Sequence, residues 1–309
     1  MSNTILVFKG YLNTILRSKY TRYINRLVNL VLFVLVSALV YQNRSQISLF
    51  KDIIDIRNIL LCFIAYAVSY TLQFAIWAGL MGYPAGMKID ALRDYVNSTL
   101  MGRLPGNMWK LLGRLTIHKT SAVSSRTVLL VNLTEMLIIG LGNAVLLIML
   151  WSGQRLHQIG LAVMAAAILV AAIKINRPYL TPGRSRIWSW LGWLVCAMGA
   201  WLAGGIFIYL LVSPFFVLAK ASINLLTVIV IWCRVGAAGL VLQIVPLGSF
   251  LRDATLVVFL QTSIPLSHAL IAATVVRLAL LISDIGIGWL FLLFASRYKQ
   301  PAASPGSQG

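Results

Sequence analysis

The chain has 309 residues, 60% of them apolar and only 11% charged, against roughly half apolar and a quarter charged in soluble globular domains. One soluble core cannot bury that excess, so the composition excludes a soluble globular enzyme and points to a polytopic membrane protein. The formal net charge of +19, from 26 Lys and Arg against 7 Asp and Glu, would suggest nucleic acid in a soluble protein. Here the bases lie mostly between apolar segments, which is the positive-inside pattern of membrane loops, and no nucleic-acid partner is expected.

Apolar stretches run in chain order over about 27–42, 58–83, 127–151, 158–173, 187–213, 222–246 and 266–295. Most reach the ~20 residues that a helix needs to cross a hydrocarbon core about 30 Å thick. The first and fourth are short and read as spans in the company of the others. Lys9, Arg17, Lys19, Arg22 and Arg26 precede the first stretch. A cleaved signal peptide would have an unusually long charged region there and no clear small-residue cleavage site, so a signal anchor or first span is expected.

The segment 84–126 carries Lys88, Arg93, Arg103, Lys110, Arg114, Lys119 and Arg126, and the segment 174–186 adds Lys174, Arg177, Arg184 and Arg186. The intervening connections are nearly free of bases, with Arg155 and Lys220 alone. This alternation predicts a cytoplasmic N-terminus in the inner (cytoplasmic) membrane. Arg44, Lys51 and Arg57 fit it less well, partly offset by Asp52 and Asp55. Seven full spans would also leave Arg297 and Lys299 on the wrong side, which an extra crossing or a re-entrant segment within 247–265 repairs. The expected fold is all-α and polytopic, a single membrane domain over 1–299 with about 7–8 transmembrane helices. The Pro-, Ser- and Gly-containing tail 300–309 reads as disordered.

Cys62, Cys196 and Cys233 lie singly in apolar stretches and read as small core residues. His118, His157 and His268 are scattered, so no metal-ligand spacing exists. Two segments break the hydropathy pattern. The first, 84–126, mixes bases with Leu104, Trp109, Leu111 and Leu112 and includes Gly102, Pro105, Gly106 and Gly113. It reads as an interfacial amphipathic helix or a re-entrant one, since irregular backbone survives at membrane depth only where protein or a wet cavity shields it. The second runs from Val245 through Pro246, Gly248, Arg252 and Asp253 to Ile264. Glu135 follows Pro105 by 30 residues and Arg277 follows Pro246 by 31, each inside a span. Paired Gly/Pro-interrupted segments of this kind point to a repeat-built transport site, with pseudo-repeats over about 27–151 and 187–295.

Of the seven acids, Asp52, Asp55, Asp90 and Asp94 sit in or beside loops, where a solvated role is the default. Glu135 lies inside an apolar run with Asn132 on the same helical face, three residues earlier. Asp284 follows Arg277 by seven residues on the last span, Asp253 adjoins Arg252, and Arg234 is a further base inside an apolar run. An ionisable group at the centre of a span costs at least ~2.5–3.5 kcal/mol, so it faces a cavity or a partner. One reading gives Glu135 and Arg277 a cavity-lining role; the other makes Glu135 a packing salt bridge to Arg277 or Arg234. Arg103, Lys110 and Arg114 recur at spacings of seven and four and share a face if 101–115 is helical. They either set topology at the anionic leaflet or capture a head-group phosphate through guanidinium forks and backbone N–H groups freed near Pro105 and Gly106. No GxSxG elbow, P-loop, HExxH or DxD pattern occurs, so neither catalytic residues nor cofactors are expected.

On Gly102–Arg114 with Glu135 beyond it, and on Val245–Asp253 with Arg277 beyond it, the chain resembles the flippase-like membrane family that includes the transmembrane region of lysylphosphatidylglycerol synthases. That family's second motif usually reads Pro-Gly-Gly-x-Gly-x-Arg-Glu. Pro246, Gly248 and Arg252 fit it, Leu247 and Phe250 stand where it has glycines, and Asp253 replaces its Glu. The resemblance implies two repeats, each with a broken or re-entrant helix, around a cavity open to lipid. It further implies translocation or binding of an amphiphile, such as a modified phospholipid or a lipid-linked saccharide, without ATPase activity and without a soluble transferase domain in this sequence. In this reading Arg103, Lys110 and Arg114 attract the phosphate, Arg252 and Arg277 supply counter-charge, and Glu135 and Asp253 balance them. Two alternatives stay open: a non-catalytic membrane partner that presents lipid acceptor to a glycosyl- or aminoacyl-transferase, and a permease for a small solute.

Overall fold

The computed structural model describes residues 56–82, 88–101, 108–117, 124–150, 186–242 and 248–297. The expected spans over 27–42 and 158–173, together with Arg103, Pro105, Gly106, Pro246 and the tail 300–309, lie outside the described residues. Among the described residues there are eight helices and no strand: α1 (Ile56–Met81), α2 (Lys88–Met101), α3 (Met108–Ile117), α4 (Ser125–Leu150), α5 (Arg186–Leu218), α6 (Leu225–Leu242), α7 (Gly248–Leu260) and α8 (Leu266–Arg297). Four of them are long and apolar enough to cross a membrane: Ile56–Met81, Ser125–Leu150, Ser189–Leu218 and Leu266–Leu293. A 26-residue helix such as α1 or α4 is about 39 Å long at 1.5 Å per residue, which exceeds a hydrocarbon core of about 30 Å. The apolar part of α6, Leu225–Gly239, is shorter. Helices α2, α3 and α7, of 14, 10 and 13 residues, reach only about 15–21 Å. Of the basic segment after α1, the described residues are helical over Lys88–Met101 and Met108–Ile117, and 102–107 lie outside them.

The helix ends follow from local chemistry. Helix α1 stops at Gly82, whose φ of +67° suits a residue without Cβ. Ser124 Oγ accepts from the Thr127 amide at 3.1 Å and caps α4, and Asn224 Oδ1 accepts from the Thr227 amide at 2.7 Å and caps α6. Between α5 and α6 the chain makes a Schellman turn. The Ala221 amide donates to Phe216 O at 2.9 Å and the Lys220 amide to Val217 O at 3.0 Å, with Lys220 left-handed at φ 53°.

Helix α5 is the hub, packed against α1, α4, α6 and α8. Between apolar helices in lipid there is little hydrophobic driving force, so close approach at small residues and interhelical hydrogen bonds take over. At Gly142 of α4 an added Cβ would sit 2.6 Å from Ala197 Cβ of α5. Gly204 and Gly205 of α5 receive Trp232 and Ile229 of α6, while Gly236 of α6 receives the ring of Trp201. Trp201 Nε1 donates to Ile139 O of α4 at 2.9 Å, Asn143 Nδ2 of α4 to Cys233 O of α6 at 2.9 Å, and Ser69 Oγ of α1 to Ala200 O of α5 at 2.8 Å. Cys62 and Cys233 are buried small residues, as expected, and Cys196 is half-buried. All three are free thiols.

The outward faces are apolar. On α8, Leu278, Leu281, Ile282, Ile285, Trp289 and Leu293 are exposed in a stripe at helical spacing, while Val276, Leu280, Ser283, Asp284 and Ile287 are buried. Large contiguous apolar faces of this kind are rare on soluble monomers, and with the span lengths they identify a membrane protein.

The close α4–α5 crossing gives a test. Gly142→Ala should lower the thermal unfolding transition of the detergent-solubilised protein, by a loss of about 1–3 kcal/mol from overpacking. Gly192→Ala on α5, where nothing lies within 4 Å of the added Cβ, should leave the transition unchanged or raise it, since Ala favours a helix by up to about 1 kcal/mol.

Candidate functional site

The first cluster forms where α3 lies against α4. Lys110 and Arg114 are four residues apart on α3 and therefore on one face, and both reach Glu135, inside α4. Arg114 Nη1 donates to Glu135 Oε2 and to Asn132 Oδ1, and Nη2 donates to Glu135 Oε1 at 3.3 Å. Its Nε donates to Ser98 Oγ of α2 at 3.3 Å, and that hydroxyl donates in turn to Tyr95 O at 2.8 Å. The guanidinium lies 5.1 Å from the centroid of the Trp77 ring of α1 and 5.2 Å from that of Tyr95. Four helices thus converge on one side chain, and Arg114 and Glu135 are each only 1% exposed.

Such a pair stands or falls together. Burying two charges costs several kcal/mol each, offset only where geometry and further hydrogen bonds are good, as at this fork with its added Asn132, Ser98 and ring contacts. Lys110 differs. Its side chain is 34% exposed, with Nζ 3.7 Å from Glu135 Oε1 and 5.6 Å from the centroid of the Tyr95 ring. It is the part-exposed cation of a cluster whose buried pair is already neutral.

The second cluster joins α7 to α8. Arg277 Nη1 donates to Asp253 Oδ2 at 2.8 Å, and Arg252 Nη2 lies 3.8 Å from Asp253 Oδ1. Arg252, Asp253 and Arg277 have side chains 29%, 20% and 44% exposed, so this cluster is wetter than the first. The Arg252 stem runs over α6 at Gly239, where an added Cβ would lie 3.1 Å from its Cδ, and Arg234 of α6 stands over the Phe259 ring at 5.7 Å. These two contacts set α6 and α7 antiparallel. Gly248, expected at a helix break, is the first residue of α7. In the ion pairs among the described residues, each cluster brings two bases to one carboxylate.

The expected residues therefore fall into two groups, with partners that differ in part from those anticipated. The packing partner of Glu135 is Arg114, with Lys110 beside it, rather than Arg277 or Arg234; α3 folds back on α4, which brings together residues 21 apart in sequence. Arg114 is enclosed, with its guanidinium turned onto Glu135, Asn132 and Ser98. Asp284 and Arg277, two turns apart on α8, have different surroundings: Asp284 is 1% exposed and accepts a hydrogen bond from the Tyr66 hydroxyl of α1, while Arg277 reaches α7. Sequence reasoning missed Trp77, Tyr95, Ser98 and Tyr66. The spacing of Tyr95 and Ser98, three residues apart on α2, was the available signal; Trp77 and Tyr66 are hidden among the other aromatics of an apolar span. Among the described residues no three His, Cys, Asp or Glu side chains gather as metal ligands.

The two clusters predict unequal costs. Glu135→Gln leaves Arg114 buried and uncompensated and should lower stability by about 3–5 kcal/mol. Asp253→Asn, at a part-exposed pair, should cost under about 1 kcal/mol. Thermal unfolding of the two variants in the same detergent measures both, and equal shifts would contradict the difference in burial.

Comparison of the chain with protein-family models gives no match, and comparisons with curated proteins and with solved structures give none either.

Proposed function

We propose that this protein moves or binds a phosphate-bearing lipid, such as a modified phospholipid or a lipid-linked saccharide, between the leaflets of the inner membrane without hydrolysing ATP. The observation that supports this reading is the pair of clusters of bases around a carboxylate, Lys110/Arg114/Glu135 and Arg252/Asp253/Arg277, each set between a short helix and a long apolar one. Three of the four bases are part-exposed, and charge-assisted hydrogen bonds to phosphate oxygens are among the strongest that a side chain can offer. The apolar outer faces of α1 and α8 suit the acyl chains of the same ligand.

In the proposed cycle Lys110 is the first cation that the head group meets. Arg114 serves as the fixed floor that keeps Glu135 in place, and Glu135 takes Lys110 back when the head group leaves. Arg252 and Arg277 act in the same way around Asp253 in the second cluster. Arg103 adds to the basic approach in this reading, and Asp284 adds a buried carboxylate beside α1. The short helices α2, α3 and α7 support the broken or re-entrant segments of two pseudo-repeats. With the stretches 27–42 and 158–173 and helix α6 they support about 7–8 crossings and a cytoplasmic N-terminus. The resemblance to the flippase-like family that includes the transmembrane region of lysylphosphatidylglycerol synthases points the same way.

The test is leaflet exchange of a fluorescent anionic phospholipid in vesicles reconstituted with the purified protein. Wild-type protein should accelerate exchange. Lys110→Gln and Arg277→Gln should each slow it by about tenfold or more, the loss of one charge-assisted hydrogen bond, while membrane insertion is retained. Exchange at the wild-type rate in both variants would overturn the role of the clusters. No exchange by wild-type protein, with a transferase that co-purifies, would select the acceptor-presenting alternative.

A further inference from the structure

Arg277 lies 11 residues into α8 from Leu266, about 16 Å, and Asp253 lies 7 residues back from the end of α7 at Leu260, about 10 Å. The turn between them exposes Gln261, Thr262 and Ser263. The Arg277–Asp253 pair therefore stands about 10–16 Å in from a polar turn, along the span Leu266–Leu293. Its bond to Asp253 uses Nη1 at 2.8 Å, and among the described residues Asp253 is the one group that Arg277 bonds. The opposite edge of the guanidinium carries Nε–H and an Nη2–H side by side, a two-donor fork that matches two oxygens of a phosphate. With the side chain 44% exposed, that edge is open. Arg277 also stands on the boundary of the apolar stripe of α8: within one turn beyond it Leu280 is buried and Leu281 is exposed. From Arg277 to the end of the stripe at Leu293 is 16 residues, about 24 Å. A lipid measures about 20 Å from phosphate to chain end, half of a whole bilayer.

We infer that the outer face of α8 binds one phospholipid drawn partway into the membrane, with Nε and Nη2 of Arg277 on two phosphate oxygens and the acyl chains along the stripe 278–293. The inference rests on the lipid-handling reading and adds to it where the lipid lies and from which side it comes. Chains that run from Arg277 toward Leu293 belong to a lipid of the leaflet on the side of the α7–α8 turn, with its phosphate pulled inward. Asp253 is a positioning residue here. It holds Nη1 through Oδ2, has Arg252 Nη2 3.8 Å from Oδ1, and so sets the plane of the Arg277 guanidinium. The head group arrives on the open edge while Asp253 still holds the other. An apolar stripe alone would take any lipid by its chains. The fork at its edge makes the site specific for a phosphate, since a phosphate-free lipid covers the stripe and leaves two donors unfilled.

Quenching of Trp289 fluorescence in vesicles tests this with the full chain. Trp289 is 65% exposed on the stripe, 12 residues beyond Arg277 or about 18 Å, where the chain ends of such a lipid fall. Two probes brominated near their chain ends are compared in a background of unbrominated digalactosyldiacylglycerol: phosphatidylglycerol, and the phosphate-free digalactosyl lipid itself. The signal of Trp289 is the difference between each protein and its Trp289→Phe form. In wild-type protein phosphatidylglycerol should reach half-maximal quenching at a mole fraction about tenfold lower than the glycolipid. In Arg277→Gln the two curves should coincide. Arg277→Lys keeps a cation for Asp253 but lacks the fork, and most of the preference should go with it. Equal curves in wild-type protein, or the full preference in Arg277→Gln, overturn the site; should that variant unfold early, the full preference in Arg277→Lys overturns it instead. A preference lost in the variants, with no leaflet exchange by wild-type protein, keeps the site and removes transport. Leaflet exchange with equal curves removes the site and leaves transport standing.

Discussion

The buried ion pair of Arg114 and Glu135 is the constraint around which the N-terminal part of the described structure is arranged. A guanidinium cannot be left alone in an apolar interior, and neither can a carboxylate inside a span. Each therefore dictates the position of the other and of everything that completes their hydrogen bonding. Arg114 draws α3 onto α4, takes an oxygen from Asn132 on the same helix and one from Ser98 on α2, and lies against rings from α1 and α2. Tyr95 is in turn set edge-on against Tyr70 at 5.4 Å and Phe74 at 5.5 Å. One pair thus fixes the mutual placement of four helices, two of them too short to cross a membrane. The more exposed Arg277–Asp253 pair links α7 to α8 with a weaker grip, which suits a contact that opens and closes.

Much of this was legible in the sequence, for physical reasons that differ by feature. The stretches 58–83, 127–151, 187–213 and 266–295 appear as α1, α4, α5 and α8 because span length and apolarity are local properties that packing does not override. Glu135 and Asn132 stood out because a polar group in an apolar run needs a compensating partner. The identity of that partner was not legible. Arg114 lies in a basic segment where positive charge is expected on topological grounds alone, so its inward turn is invisible until α3 is seen folded against α4. Asp284 and Tyr66 are 218 residues apart, and no periodicity connects them. The run 101–115 contains Pro105 and three glycines, and of the three bases spaced by seven and four only Lys110 and Arg114 lie among the described residues, together on α3.

The partition of the bases by burial carries the functional argument. Seven and four residues of spacing made Arg103, Lys110 and Arg114 look equivalent. In the fold Lys110 and Arg114 are opposites: one is a part-exposed ammonium, the other a sealed guanidinium whose donors face Glu135, Asn132 and Ser98. A ligand that removed Arg114 from Glu135 would have to repay the desolvation of both, whereas Lys110 is held to Glu135 by a looser contact of 3.7 Å. In the proposed reading a head group is received at the edge of such a cluster, while its buried centre holds the shape. The exposed apolar stripes on α1 and α8 and the small-residue contacts of α5 with α4 and α6 place these charges within an apolar scaffold.

The most direct measurement is native mass spectrometry of the protein purified with its own membrane lipids, with release and identification of what remains bound. The account predicts retention of a phosphate-bearing lipid well above its share of the bulk membrane, at a stoichiometry matching one or both charge clusters. A bound-lipid profile identical to the bulk composition would contradict it.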